Sequence, residues 1–349
     1  MNPMPRLAAL STAVPPYPLN QADIQQRARG YFAGSAALDL EHLLPVFANA
    51  GIDTRYSCVP VEWYDTPHGW TERNAIYLEN AVQLLEKAAR DALQQAAFAP
   101  DQIDAIVVAS TTGIATPSLD AILIGKLGLR SDVRRLPIFG LGCAGGVLGL
   151  ARAADIARVV PGGRVLFLVV ELCALSFRKG DLSKSNVVAT ALFGDGAAAA
   201  VISSDGDGPA IGNSGEYTWP NSLGVMGWDV QGDGLKAIFS RDIPALVRND
   251  LGQAARAFLA RENLSLSLID HFVCHPGGVK VLAALEAAFE TGRGALDLAR
   301  QVLRDYGNMS AATVMFVLER TLAARARGRM MLSALGPGFS AGFLLLDAA

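Results

Sequence analysis

The chain predicts an α/β protein with mostly parallel, doubly covered sheets. Short β-branched runs alternate with helical patterns in both halves, and the second half repeats the grammar of the first. Several of the strand runs are apolar throughout, as strands covered on both faces must be.

The elements follow in order. The apolar run near the N-terminus, Leu7–Val14, fits a first strand; one Arg and two early Pro make it a poor secretory signal. Thr71–Ala97 has helical apolar spacing and ends near Pro100, so it predicts a long amphipathic helix. Ile103–Ser110 predicts a buried strand, Leu119–Leu127 a helix, and Arg135–Phe139 a strand entering a glycine-rich turn. Val147–Val160 predicts a helix closed by Pro161-Gly-Gly, and Arg164–Val170 another buried strand. Ala197–Ser203 is short enough to favour a strand. Asp205-Gly-Asp-Gly-Pro209 reads as the linker, dividing the chain into units 1–205 and 206–349. Beyond it come a helix at Ile243–Arg261, a strand at Leu268–His275, helices at Val279–Phe289 and Ser310–Ala326, and closing strands at Gly328–Ser333 and Gly342–Leu346.

The 349 residues are 51% hydrophobic and carry a net charge of −3. Lys+Arg 30 against Asp+Glu 33 leaves no basic excess for nucleic acid or an anionic membrane. No stretch reaches the roughly 18 uncharged apolar residues of a membrane span. The four cysteines, Cys58, Cys143, Cys173 and Cys274, form no C-x-x-C pair and predict neither a zinc site nor a disulfide framework, which fits a cytoplasmic setting.

The glycine-rich turn Gly140-Leu-Gly142-Cys-Ala-Gly145 admits three readings. As G-x-G-x-x-G between a strand and a helix it matches a dinucleotide-binding turn, with Glu171 at the end of the next strand to meet a ribose. As a sharp turn it presents Cys143 at a helix N-terminus, where free N–H groups favour a thiolate. As packing, the glycines permit close approach and Cys143 is a small apolar residue.

The rest of the chain bears on the choice. A thiolate acting on an acyl group needs a proton-handling partner and an oxyanion donor. His275 ends a predicted strand and enters the turn Pro276-Gly277-Gly278, at the carboxyl edge where open α/β sheets collect ligands. Asn308, in Tyr306-Gly-Asn-Met-Ser310, precedes another predicted helix. A core histidine and an ordinary helix cap remain the bland readings of those two.

At these residues the sequence resembles the type III polyketide synthases, the chalcone-synthase-like group of the thiolase superfamily. The resemblance runs through Gly-Cys143-Ala-Gly-Gly, Glu171-Leu-Cys-Ala-Leu-Ser-Phe-Arg178, Ala191-Leu-Phe193-Gly-Asp-Gly, His275-Pro-Gly-Gly, Tyr-Gly-Asn308-Met-Ser and Gly336-Pro-Gly338-Phe. Within that group, Glu62-Trp-Tyr, Pro67-His-Gly-Trp70 and Gly113-Ile-Ala-Thr-Pro-Ser118 are most similar to bacterial alkylresorcinol and alkylpyrone synthases, which take long fatty acyl starters.

The resemblance implies a thiolase fold of duplicated αβαβα halves in a five-layered core, working as a homodimer without bound metal or cofactor. It implies that Cys143 carries the acyl chain, and that His275 and Asn308 hydrogen-bond the thioester carbonyl of malonyl-CoA during decarboxylation. Phe193 matches a gatekeeping aromatic, and Ala237 stands where a second gatekeeper is expected, which would widen the passage. Thr111, Cys173, Ser176, Trp228 and Ser310 match cavity-lining positions, and Thr116 matches the side chain that reaches a partner's cavity. The stretch Glu41–Asn49 has no Lys or Arg where plant members bind the phosphates of coenzyme A. Arg55 or another arginine is then the candidate replacement, or the starter arrives on an acyl carrier protein.

A ketoacyl synthase III of fatty-acid initiation shares the Cys-His-Asn set but stops after one condensation. A papain-like protease would carry a Cys-Gly-x-Cys-Trp signature, which is absent. A dehydrogenase would bind NADH, and a non-catalytic acyl-binding protein would hold an inert Cys143.

Overall fold

The computed structural model describes residues 4–32, 44–160, 162–205 and 207–348. Its strands are β1 Arg6–Ala13, β2 Tyr17–Asn20, β3 Thr54–Ser57, β4 Ala105–Ala109, β5 Arg134–Ile138, β6 Arg164–Leu172 and β7 Asp195–Ser203. They continue with β8 Ala210–Thr218, β9 Met226–Gln231, β10 Gly234–Phe239, β11 His271–Cys274, β12 Gly328–Gly336 and β13 Ser340–Ala348. Nine of them form one sheet in the order β11-β12-β13-β8-β1-β7-β6-β4-β5. The two halves join at a single register pair, Arg6 opposite Ala210.

The sheet is mixed rather than mostly parallel. Parallel pairing is confined to β11/β12, β4/β5 and β4/β6. Those strands are linked through helices, the connection that parallel neighbours require. The pairs β12/β13, β13/β8, β8/β1, β1/β7 and β7/β6 are antiparallel. β8, whose sequence AIGNSGEYT shows no apolar run, escaped the sequence reading, and it lies near the middle of the sheet.

Helices divide the molecule into five layers. Trp70–Gln95 covers β1, β6 and β7 with Tyr77, Ala81, Leu85, Ala88 and Ala92, an apolar stripe at i, i+4, i+8 spacing. Gly145–Val159 and Thr313–Ala323 form the central layer. The first contacts β4 and β6 on one side and β12 and β13 on the other; the second contacts β1 and β11. Both are buried on most of their surface, and their charges, Arg152, Asp155 and Arg158 on the first and Glu319 and Arg320 on the second, are confined to the later turns. Gly252–Arg261 covers β8 and β13, and Val279–Ala288 packs against the segment Val247–Leu251 that precedes it. The region predicted as one helix from Ile243 to Arg261 contains a wide π turn at Val247–Leu251. No helix of the described residues is long and apolar enough to cross a membrane.

Candidate active site

Each central helix begins with a turn that carries a candidate catalytic residue. β5 leads through Gly140 into the 3-10 turn Gly142–Ala144, which feeds the helix Gly145–Val159. Gly142 has φ +47°, a conformation glycine adopts without strain. The space around these glycines is filled by protein. A Cβ at Gly142 would stand 2.5 Å from Pro337 Cδ, and one at Gly146 would collide with the Ala311 carbonyl oxygen. Close packing of two helix starts and the Pro337 hairpin therefore accounts for Gly142 and Gly146.

Cys143 is half-buried at the head of that helix. Burial pushes its thiol up to about 12; the Ser310 hydroxyl, hydrogen-bonded to the sulfur, opposes the shift, and Glu171 adds to it. Burial thus works against the thiolate that a helix N-terminus alone would favour.

Glu171, which the sequence offers only as a ribose ligand, is fully buried beside the sulfur. Its carboxyl accepts the Thr111 N–H at 3.0 Å and the Ser310 hydroxyl at 3.5 Å. Burial raises it to about 8 despite those donors. Thr111 in turn takes the Gly142 N–H on its hydroxyl at 3.2 Å. One polar cluster thus links the cysteine turn, the end of β6 and the start of the second central helix. A lone acidic residue closing the apolar run RVLFLVVEL was the available signal.

Asn308 is reached from the same cluster. Its Oδ1 accepts the Ser310 N–H at 2.8 Å, which fixes the amide so that Nδ2 is the outward donor. One Nδ2 hydrogen goes to the Gly277 carbonyl at 3.3 Å, leaving the other uncommitted. Ser310 sits at φ +47°, a strained setting for a residue with a side chain. Gly277 lies against the His275 imidazole: a Cβ there would be 3.8 Å from the ring Nε2. Hydrogen bonds therefore run from Glu171 through Ser310 and Asn308 to the Gly277 carbonyl, two residues beyond His275. Neither imidazole nitrogen has a hydrogen-bond partner, although the residue is 6% exposed. Buried polar groups are rarely left so, and a site is the usual reason. Burial lowers this imidazole to about 4, so it is a neutral base at physiological pH.

The other sequence-predicted residues sort into three places. Cys173, Ser176, Phe193 and Arg55 line a cavity that continues past Leu19, Ile24, Tyr31, Val61, Tyr64 and Phe177. Trp228 and Ser176 line a neighbouring one with Thr112 and Leu235. Phe193 clusters with Cys173 and Ala237. Its ring meets Trp228 at 5.9 Å and Phe239 at 5.6 Å, so Phe239 supplies an aromatic wall two residues beyond the small Ala237. Thr116 is exposed, on the loop after β4. Gly278 opens the helix Val279–Ala288. Arg55 does not replace the missing phosphate-binding cations: it is 2% exposed, on β3, with Asp195 and Tyr64 as its charged and polar surroundings. Of the cation-free stretch, residues 41–43 lie outside the described residues.

The dinucleotide reading fails on topology and chemistry together. β4 lies between β5 and β6, and Glu171 is consumed by Thr111 and Ser310.

A duplicated five-layer fold with a cysteine and an asparagine in the segments that lead into its paired central helices defines a thiolase-like condensing enzyme. The comparisons are narrower. Residues 59–206 match the chalcone and stilbene synthase N-terminal domain, and residues 213–346 match the C-terminal domain. The chain belongs to the chalcone and stilbene synthase family. It is 39% identical to the 1,3,6,8-tetrahydroxynaphthalene synthase of Streptomyces peucetius, over 97% of this chain and 92% of the relative. It is 29% identical to the phloroglucinol synthase of Pseudomonas fluorescens, over 85% and 86%. The solved structure of 1,3,6,8-tetrahydroxynaphthalene synthase from Streptomyces coelicolor, a bacterial type III polyketide synthase, superposes with a TM-score of 0.94 at 29% identity, covering 98% of this chain and 99% of that one. The chain is accordingly an acyl-transferring enzyme of the type III polyketide synthase family, which works on coenzyme A thioesters.

Proposed function

We propose that the chain primes Cys143 with a long-chain fatty acyl thioester, extends it with several malonyl-CoA units and cyclises the product to an alkylpyrone or alkylresorcinol. The thiol passes its proton to His275 as the sulfur attacks the starter carbonyl, and coenzyme A leaves with a proton. Malonyl-CoA then loses its carboxylate as CO2, and the electron pair moves onto the thioester oxygen as an enolate. His275 and the free Asn308 N–H donate to that oxygen. The enolate carbon attacks the Cys143 thioester carbonyl, the C–S bond breaks and the freed sulfur regains a proton, leaving the elongated chain on coenzyme A; transfer of that chain back to the sulfur, with release of coenzyme A, opens the next round.

The observation that carries this reading is the set of contacts that ties the Cys143 turn through Ser310 and Asn308 to the Gly277 carbonyl, two residues from the unpartnered His275 imidazole. The mostly apolar lining beyond Cys173 and Phe193 favours an apolar starter, and the small Ala237 packs against both of those residues. We further assign a homodimer, with Thr116 offered to the partner's cavity, and delivery of starter by coenzyme A or an acyl carrier protein.

Identity to the tetrahydroxynaphthalene synthases favours a second reading, in which the product is a hydroxylated aromatic without an alkyl tail. Mass spectrometry of products from acyl-CoA and acyl-carrier-protein starters of graded length, each with malonyl-CoA, separates the two. Tailed pyrones or resorcinols are expected. A product from malonyl-CoA alone supports the second reading, and a single condensation would point to the ketoacyl synthase alternative.

A further inference from the structure

Arg55 is among the largest fully buried side chains of the described residues, and its Nε and Nη1 meet no acceptor. Burial lowers its guanidinium to about 10 while Tyr64 and Asp195 hold it charged. Keeping so large a side chain buried with donors unpaired is costly and calls for a reason.

Its surroundings supply one. Phe193 and Asn308 form an isolated parallel bridge between two corners of chain. The Asn308 N–H donates to the Leu192 carbonyl at 2.8 Å, and the Gly194 N–H to the Asn308 carbonyl at 3.1 Å. Each corner carries a glycine, and Arg55 covers both. A Cβ at Gly194 would stand 3.1 Å from Arg55 Cβ, and one at Gly307 would stand 3.2 Å from Arg55 Cβ and 3.5 Å from Cδ. β3 is itself tied to both sides. The Asp53 N–H donates to the Arg304 carbonyl at 2.8 Å on the Asn308 side, and the Cys58 N–H to the Asp195 carboxylate at 2.9 Å on the Phe193 side.

We infer that Arg55 is a positioning residue: its buried stem holds the Phe193–Asn308 bridge in register and so fixes where the Asn308 amide and the Phe193 ring stand. It acts through those two residues and touches no reacting atom. The inference rests on the reading of Asn308 as a donor during decarboxylation, and not on the starter or product.

The test compares Arg55→Ala, Arg55→Met and Arg55→Lys in the full-length protein. Three quantities are followed: CO2 release from malonyl-CoA, acylation of Cys143 by a starter acyl-CoA (by intact mass), and amide hydrogen exchange across 193–195 and 307–309. Arg55→Ala should lower decarboxylation about a hundredfold, the scale of a displacement near 1 Å at a reacting centre, while acylation by acetyl-CoA, which has no tail to occupy the cavity that Arg55 lines, stays within about threefold. Arg55→Met, which keeps an unbranched stem without the charge, should recover most of the loss. Equal falls in both rates would mean lost fold rather than lost position, and no fall would remove the role. Recovery by Arg55→Lys but not by Arg55→Met would place the effect in the charge and overturn the inference. Should Arg55→Ala fail to fold, Arg55→Leu, bulky but short, carries the same comparison. Asn308→Ala is run alongside. If decarboxylation survives it, the role of Asn308 has failed, and hydrogen exchange alone then decides whether Arg55 holds the bridge.

Discussion

Glu171 stays protonated where an unperturbed glutamate would be charged. Its native value of about 8 lies above the ordinary 4.5, so the folded chain keeps a proton that the unfolded chain releases between those values. Stability contributed by this group is complete below pH 4.5 and is lost as pH rises toward 8. Glutamine copies the protonated carboxyl. Glu171→Gln should therefore match the wild type in thermal unfolding at pH 4.5 and exceed it at pH 8, by a margin of a few kcal/mol. His275 acts in the opposite direction. Its value is depressed to about 4 from 6.5, so stability falls as pH drops through that interval. At the sulfur, an ionised Glu171 opposes thiolate formation. Alkylation of Cys143 by iodoacetamide above pH 8 should run several-fold faster in Glu171→Gln than in the wild type. Cys143→Ala should abolish condensation and remove the acyl adduct from the intact mass.

At the scale of elements, the site depends on how closely two central helices start. Their N-terminal turns touch where Gly146 meets Ala311, with no room for a methyl group. Gly146→Ala forces the backbones apart at the point that sets the distance between sulfur and amide. A cost of about 1–3 kcal/mol in denaturant unfolding is expected, with condensation falling more steeply than stability accounts for. These helices were legible as apolar patterns at Val147–Val160 and Ser310–Ala326, and their turns as glycine-rich junctions. Which glycines would meet which neighbours was not legible, because Gly146 and Ala311 are brought together only by the sheet between their halves. β8 was missed for a related reason: its sequence is polar along one face, and its strand character comes from β13 on one side and β1 on the other. Propensity weighs little against such pairing.

At the scale of the whole molecule, an apolar surface lies beside the catalytic turn. Phe139 is 61% exposed directly after the edge strand β5, and Ile114 is 48% exposed two residues before Thr116. Exposed aromatics next to an unpaired sheet edge are a liability that assembly removes. In the proposed homodimer they meet the partner. Phe139→Asp should shift the sedimentation coefficient from dimer toward monomer, and a single slow species in the wild type would end the proposal.

The sequence alone determined the α/β class, the positions of most helices and core strands, and the motifs that identify Cys143, His275 and Asn308. Those features are written in neighbours a few residues apart: apolar spacing, glycine and proline punctuation, short signatures. The tertiary structure decided the antiparallel centre of the sheet, the entry of Glu171 into the polar cluster, and the burial of Arg55 away from any phosphate. Each of these turns on pairing, packing or charge contributed by other elements of the chain, from Thr111 and Ser310 around Glu171 to Asp195 beside Arg55, and the free energy of a buried charge depends on such partners rather than on its immediate sequence neighbours.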